Sequence, residues 1–218
     1  MGPGLRMLLL GFLLGSLVLG EVLARLLPAW GHPRGKAMMR GLMLLMVGVY
    51  GGSLLTVSLT SRERILPRGA DLRFCGFYLD CHMAVGVDSV ARAPAVGPAR
   101  ANGEFYIVSL RVSSNAIRAT LRLKNPEYQV IDSSGRRYSR SSAGEAAFTA
   151  LTGAKTALVQ PVLAGGEYRT ALVFDLPADI RRPRLLVRDV GGPDVLLEGL
   201  LIGDEDSFLH KPTTLALQ

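Results

Sequence analysis

Histidine, cysteine and tryptophan are scarce in this chain. Its 218 residues include three histidines, two cysteines and one tryptophan. There is no GxSxG elbow, no glycine loop between a strand and a helix, and no CxxC pair. These gaps remove the usual material of a serine hydrolase, of a phosphate cradle and of a thioredoxin-type redox centre. Concentrated positive charge is missing as well. The net charge is +7, but residues 1–60 carry five Lys/Arg against one Asp/Glu, leaving 20 against 17 for residues 61–218. Basic residues in the larger part are scattered among acids, whereas a phosphate backbone needs them gathered on one surface. No nucleic-acid partner is expected. Internal repeats and low-complexity tracts are also absent.

Apolar residues are abundant, at 49% of the chain, with a mean hydropathy of +0.28. The first 60 residues account for this excess. Residues 7–20, MLLLGFLLGSLVLG, are unbroken by charge, and residues 41–60, GLMLLMVGVYGGSLLTVSLT, are equally clean. A helix of 20 residues is about 30 Å long, the thickness of the bilayer hydrocarbon. The spacing predicts two transmembrane helices that meet the lipid bilayer through residues 5–27 and 41–60, with Glu21 and Arg25 paired one turn apart near the interface. A cleaved secretory signal is the rival for the first run, but only Arg6 supplies the basic region that a signal needs. The short connector at residues 29–40 makes the helices a hairpin. Gly11 with Gly15 and Gly48 with Gly52 form GxxxG patterns that would let the helix backbones approach.

Residues 61–72 read as a juxtamembrane linker, and the period then changes. In EFYIVSLRV (residues 104–112), Tyr106, Val108, Leu110 and Val112 share one face. Thr170, Leu172, Phe174 and Leu176 repeat the pattern in YRTALVFDLP. Alternation with period two marks half-buried strands. Shorter runs, HMAVGVDSVARA, ATLRL, YQVID, RRYSR, RLLVRDV and VLLEGLLIG, read as further strands between turn signals. GEAAFTAL allows one short helical turn. Seven to nine strands in residues 73–218 predict an all-β immunoglobulin-like sandwich preceded by the transmembrane α-helical hairpin.

The order of these pieces carries a resemblance. Asn115 follows a hydrophobic strand. Asp132, Gly135 and Tyr138 make a D-x-x-G-x-x-Y hairpin, with one extra residue upstream. Pro161, Gly166 and Glu167 make a P-x-x-x-G-E-like turn of altered spacing, and Phe174, Asp175 and Pro177 an F-D-x-P strand end. About half the chain thus resembles a family of bacterial immunoglobulin-like domains of unknown function, found on lipoproteins and membrane-anchored proteins. The resemblance implies an extracytoplasmic β-sandwich without catalytic residues. The chain departs from that pattern in having no lipobox cysteine near residue 1, in its Cys75–Met83 stretch, and in its GDEDSFLHKPT tail.

The stretch RFCGFYLDCHMAVGV holds both cysteines, Cys75 and Cys81, with His82 and Met83 behind them. Haem attachment wants two residues between the cysteines, and here there are five. Thiolate, imidazole and thioether suit Cu(I), so Cys75, Cys81, His82 and Met83, with His210, are the metal candidates. Neighbouring strand residues point to opposite faces, however, which keeps His82 and Met83 apart. A disulfide between Cys75 and Cys81 is the preferred reading. It needs Cα atoms about 4.4–6.8 Å apart, so the chain must reverse within GFYLD, where Gly76 and Asp80 are suitable turn residues. Such a loop contributes on the order of 2 kcal/mol. Flanking charges do not settle membrane orientation. A close cysteine pair fits an oxidising compartment and tips the β domain to the outside of the cell (inner) membrane.

Near the C-terminus, Asp204, Glu205 and Asp206 are consecutive. A Ca²⁺ loop needs oxygens at alternating positions. A solvated turn after the last strand is therefore expected, with Asp206 or Ser207 capping a helical turn through His210. Phe77, Tyr78 and Phe105 are candidate contact aromatics and equally candidates for the core. The sequence predicts no cofactor, no catalytic residue, and a protein-interaction or structural role in the envelope, with another envelope protein as partner. The alternative is a copper-binding or redox accessory protein of the respiratory membrane.

Overall fold

The computed structural model describes residues 3–29, 33–74, 81–153, 157–190 and 194–218. It divides into two compact units, Met1–Arg62 with Val195–Lys211, and Glu63–Asp194 with Pro212–Gln218.

The first unit holds the helical hairpin, α1 (Pro3–Ala29) and α2 (Pro33–Thr60). Both helices are long and apolar enough to cross a membrane. Their apolar side chains are largely turned outward: Leu8 is 71% exposed, Phe12 70% and Leu44 73%. That distribution suits a hydrocarbon surround and not a water-soluble core, where each such side chain would forgo about 1.5–3 kcal/mol of burial. α2 begins eight residues before the expected position 41. Pro33 takes the first helical position, where its missing N–H costs nothing, and Lys36, Ala37 and Met38 favour continuation. Arg25 Nε donates to Glu21 Oε1 at 3.0 Å, as the i,i+4 spacing predicts. The GxxxG glycines do not mediate the helix contact, because a Cβ on Gly11, Gly15, Gly48 or Gly52 would meet nothing within 4 Å. The close approach is at Gly20, where a Cβ would lie 2.7 Å from the Met43 sulfur.

The second unit is a two-sheet β-sandwich, as the alternation predicted. One sheet has the order β2 (Asp71–Phe74), β3 (Met83–Val96), β4 (Ala99–Ser114), β7 (Glu167–Leu176). The other has the order β1 (Arg64–Leu66), β9 (Thr213–Ala216), β8 (Arg184–Asp189), β5 (Pro126–Ile131), β6 (Arg137–Tyr138). β1 and β9 run parallel, and the other pairs are antiparallel. Tyr106, Val108, Leu110 and Val112 meet Leu172, Phe174, Leu185, Val187, Val130 and Leu215 in one core. Register pairs Tyr106 with Phe174 and Val108 with Leu172, so the inward faces of β4 and β7 coincide.

Several segments differ from expectation. Residues 61–72, read as linker, contain β1 and the start of β2. ATLRL forms no strand, only an isolated bridge at Leu121. VLLEGLLIG forms α4 (Asp194–Leu200) and the turn after it. Its leucines and glutamate favour helix, and it has one β-branched residue before Ile202. The short turn expected in GEAAFTAL is an eleven-residue helix, α3 (Ser142–Thr152). The Ser141 side chain accepts from Gly144 N at its start, and Gly153 closes it in the left-handed region.

Candidate functional site

The sequence motifs resolve into fasteners of the fold. Asp132 is buried at the β5–β6 turn. Its Oδ1 accepts from Ser134 N, Ser134 Oγ and Arg136 N at 2.8, 2.6 and 3.0 Å. Its Oδ2 accepts from Arg136 Nε and Tyr138 Oη, both at 3.1 Å. Five donors on one carboxylate, the Ser134 hydroxyl foremost, hold Asp132 well below the usual carboxylate range. Asp175 does similar work at the other end of the motif set. It accepts from Asn102 N, Asn102 Nδ2 and Gly103 N. Asn115 donates its amide N–H to the His82 carbonyl oxygen and Nδ1, each at 2.9 Å, and accepts from Arg73 Nη1 at 3.0 Å.

Met83 is buried in the sandwich core. His82 lies against Asn115 instead. The two side chains that a Cu(I) site would need together therefore go to different places. Cys75, Phe77 and Tyr78 lie outside the described residues, and so does the expected Cys75–Cys81 staple. Among the described residues no cysteine is free and no group of three or more His, Cys, Asp or Glu gathers as a metal site. Phe105 is not a surface aromatic. It is 1% exposed and packs with Val96, Ala147 and Val173 beneath α3. The acidic turn differs too. It precedes β9 and is not free in solvent, because Asp204 pairs with Arg6 at 2.8 Å.

Beside α3, the outer face of the four-stranded sheet carries an ion network. Arg111 Nη2 donates to Asp71 and Nη1 to Asp88, each at 2.9 Å. Arg169 joins Asp88 and Glu167, both at 3.0 Å. Arg111 reaches across β3 because Gly86 lies beneath it. A Cβ there would sit 2.7 Å from the Asp71 carboxylate and 3.3 Å from Arg111 Nη2. The hydrogen bond that Arg111 donates to Asp71, ahead of the other acids, keeps the guanidinium even more firmly protonated than usual. Charges satisfied within one sheet stitch strands together and leave little for a ligand.

One end of the sandwich is different. The loop after β4 and the loop before β7 are locked together by Leu121 N to Val162 O at 2.9 Å and Val162 N to Leu121 O at 2.7 Å. Leu123 and Val162 turn into the core. Ile117, at 87% exposure, and Leu163, at 70%, turn out. Arg118 and Arg122 are exposed on the same loop as Ile117. Two exposed aliphatic side chains and two exposed arginines thus stand on loops pinned by a backbone bridge. Sequence reading missed it, because the two loops lie some forty residues apart.

No family model and no curated protein matches the chain. Solved structures share the sandwich only loosely. A secreted protein of Mycobacterium tuberculosis, MPT63, is 13% identical over 62% of this chain and 95% of its own, with a TM-score of 0.41. An uncharacterised β-sandwich protein of Clostridium difficile 630 is 9% identical over 72% of this chain and 96% of its own, at 0.38. A conserved hypothetical protein of Bacillus anthracis is 12% identical over 60% and 93%, at 0.40. Likenesses of this size carry no argument about activity.

Proposed function

We propose that this is a multi-pass protein of the inner membrane whose β-sandwich stands outside the cytoplasm and docks another envelope protein, without catalysis. The observation that carries the reading is the bridged loop pair, with Ile117 and Leu163 exposed to solvent and Arg118 and Arg122 exposed on the Ile117 loop. A partner of matching chemistry has an apolar socket with an acidic rim. The two apolar helices support the membrane address, and a Cys75–Cys81 staple would support the oxidising side.

The test uses the full-length chain in its own membrane, with a photo-crosslinking residue at position 117 and a control at position 169 on the ion network. A discrete crosslink to an envelope protein from 117, absent from 169 and abolished by Leu163→Asp, is the expected result. Equal products from both positions would refute docking through this end. Alkylation of the intact, unreduced protein should find no reactive thiol. Protease added to spheroplasts should reach the β domain.

A further inference from the structure

The segment at residues 195–211 has an unusual place. In sequence it separates β8 from β9, yet it belongs to the compact unit of the helices. Its contacts fall in order along one end of the hairpin. Lys211 N donates to Ser61 Oγ at 2.9 Å, just past the end of α2. Gly203 lies over Val57, with a Cβ position 3.3 Å from Val57 Cγ1. Next to it, Asp204 Oδ2 accepts from Arg6 Nη1 at 2.8 Å. Deeper still, Tyr50 Oη donates to Leu200 O at 2.8 Å. Residues 41–60 of α2 are free of charge, so Thr60 marks the edge of the apolar zone. At a rise of about 1.5 Å per residue, Val57 is about 5 Å inside that edge and Tyr50 about 15 Å.

We infer that residues 195–211 form a re-entrant segment that dips from the headgroup boundary to about the depth of Tyr50, backed by the hairpin and held to it by the Arg6–Asp204 pair. This rests on the membrane reading of α1 and α2. Three observations point to lipid as the occupant of its outer surface. Leu200, Phe208 and Leu209 are exposed on the segment, as are most apolar side chains of the helices. Gly203, against Val57, falls at the depth of about 5–10 Å where amphipathic surface elements settle, and Leu200, against Tyr50, reaches deeper. The backbone is also prepared for it. Leu201 N, Asp204 N, Ser207 N and His210 N donate to Glu198 O, Leu201 O, Asp204 O and Ser207 O, and Phe208 N to Gly199 O. Non-helical chain at membrane depth is tolerated only where protein backs it, and the contacts with Ser61, Val57, Arg6 and Tyr50 supply that backing. Arg6 is matched by a carboxylate 198 positions away, as ionisable groups near lipid are.

The experiment places tryptophan in the full-length Trp30→Phe protein, reconstituted in phosphatidylcholine–phosphatidylglycerol vesicles that carry brominated acyl chains. Phe208→Trp and Leu209→Trp report on the loop, and Val49→Trp on the span. Acyl-chain bromine should quench Phe208→Trp and Leu209→Trp more strongly than aqueous acrylamide does, bromine deep in the chain should quench Val49→Trp, and Asp204→Asn should weaken the loop signal alone. If Val49→Trp is quenched while both loop positions respond only to aqueous acrylamide, the loop inference fails and the spans stand. If Val49→Trp also escapes every bromine, the membrane reading itself fails.

Discussion

Asp132 shows how much a single carboxylate organises. Its depressed pKa has a sign that can be worked out. A carboxyl whose folded value lies below the unfolded one, about 3.9, contributes stability above that value and loses it as the pH falls through the folded value. Asp132→Asn should therefore lower the melting temperature at neutral pH, with the gap to the parent narrowing as the pH falls below about 4; melting curves between pH 7 and 2 check this. Tyr128 poses the opposite case. It is 4% exposed, burial pushes its hydroxyl up, and among the described residues that oxygen has no hydrogen-bond partner. A buried unsatisfied hydroxyl costs about 1–3 kcal/mol, so Tyr128→Phe should leave the thermal midpoint unchanged or raise it. A clear loss of stability would mean that the hydroxyl is satisfied after all.

Elements divide by how their residues signal. β4 and β7 were legible because one face of each is buried, which forces period two over many residues. α3 was only half legible. Its caps, Ser141 and Gly153, stand in the sequence, but its apolar side is short, and what it covers, Phe105 and Val173, comes from strands elsewhere in the chain. The D-x-x-G-x-x-Y and F-D-x-P motifs were legible as patterns, while their physical content, donors converging on Asp132 and Asp175, needed coordinates. The bridged loops left no local signal, since the Leu121–Val162 pairing that fixes them is long-range. Two substitutions test these elements. Ser141→Ala removes the acceptor for Gly144 N and should cost about 1 kcal/mol. Gly103→Ala would drive a Cβ into the Leu176 carbonyl oxygen and should cost about 2 kcal/mol or more, read by chemical denaturation of the full chain.

At the scale of the whole molecule, the order of helices and then sandwich was written in the change of period near residue 61. The re-entry of residues 195–211 into the helical unit was not, because a leucine-rich stretch between two strands reads locally as another strand. The length and apolar character of α1 and α2 make a direct prediction. The full chain should resist alkaline carbonate extraction, and release into the supernatant would count against both spans.

The doubled membership of the helical unit bears on how the chain can be taken apart. Its two pieces, Met1–Arg62 and Val195–Lys211, are distant in sequence yet tied by Arg6–Asp204, Tyr50–Leu200 and Ser61–Lys211. A protease that nicks the backbone once near residue 62 would sever the covalent tether without freeing either fragment. The halves should co-purify in mild detergent and separate only on denaturation, so a truncation at that point yields an orphaned loop and not a clean soluble domain.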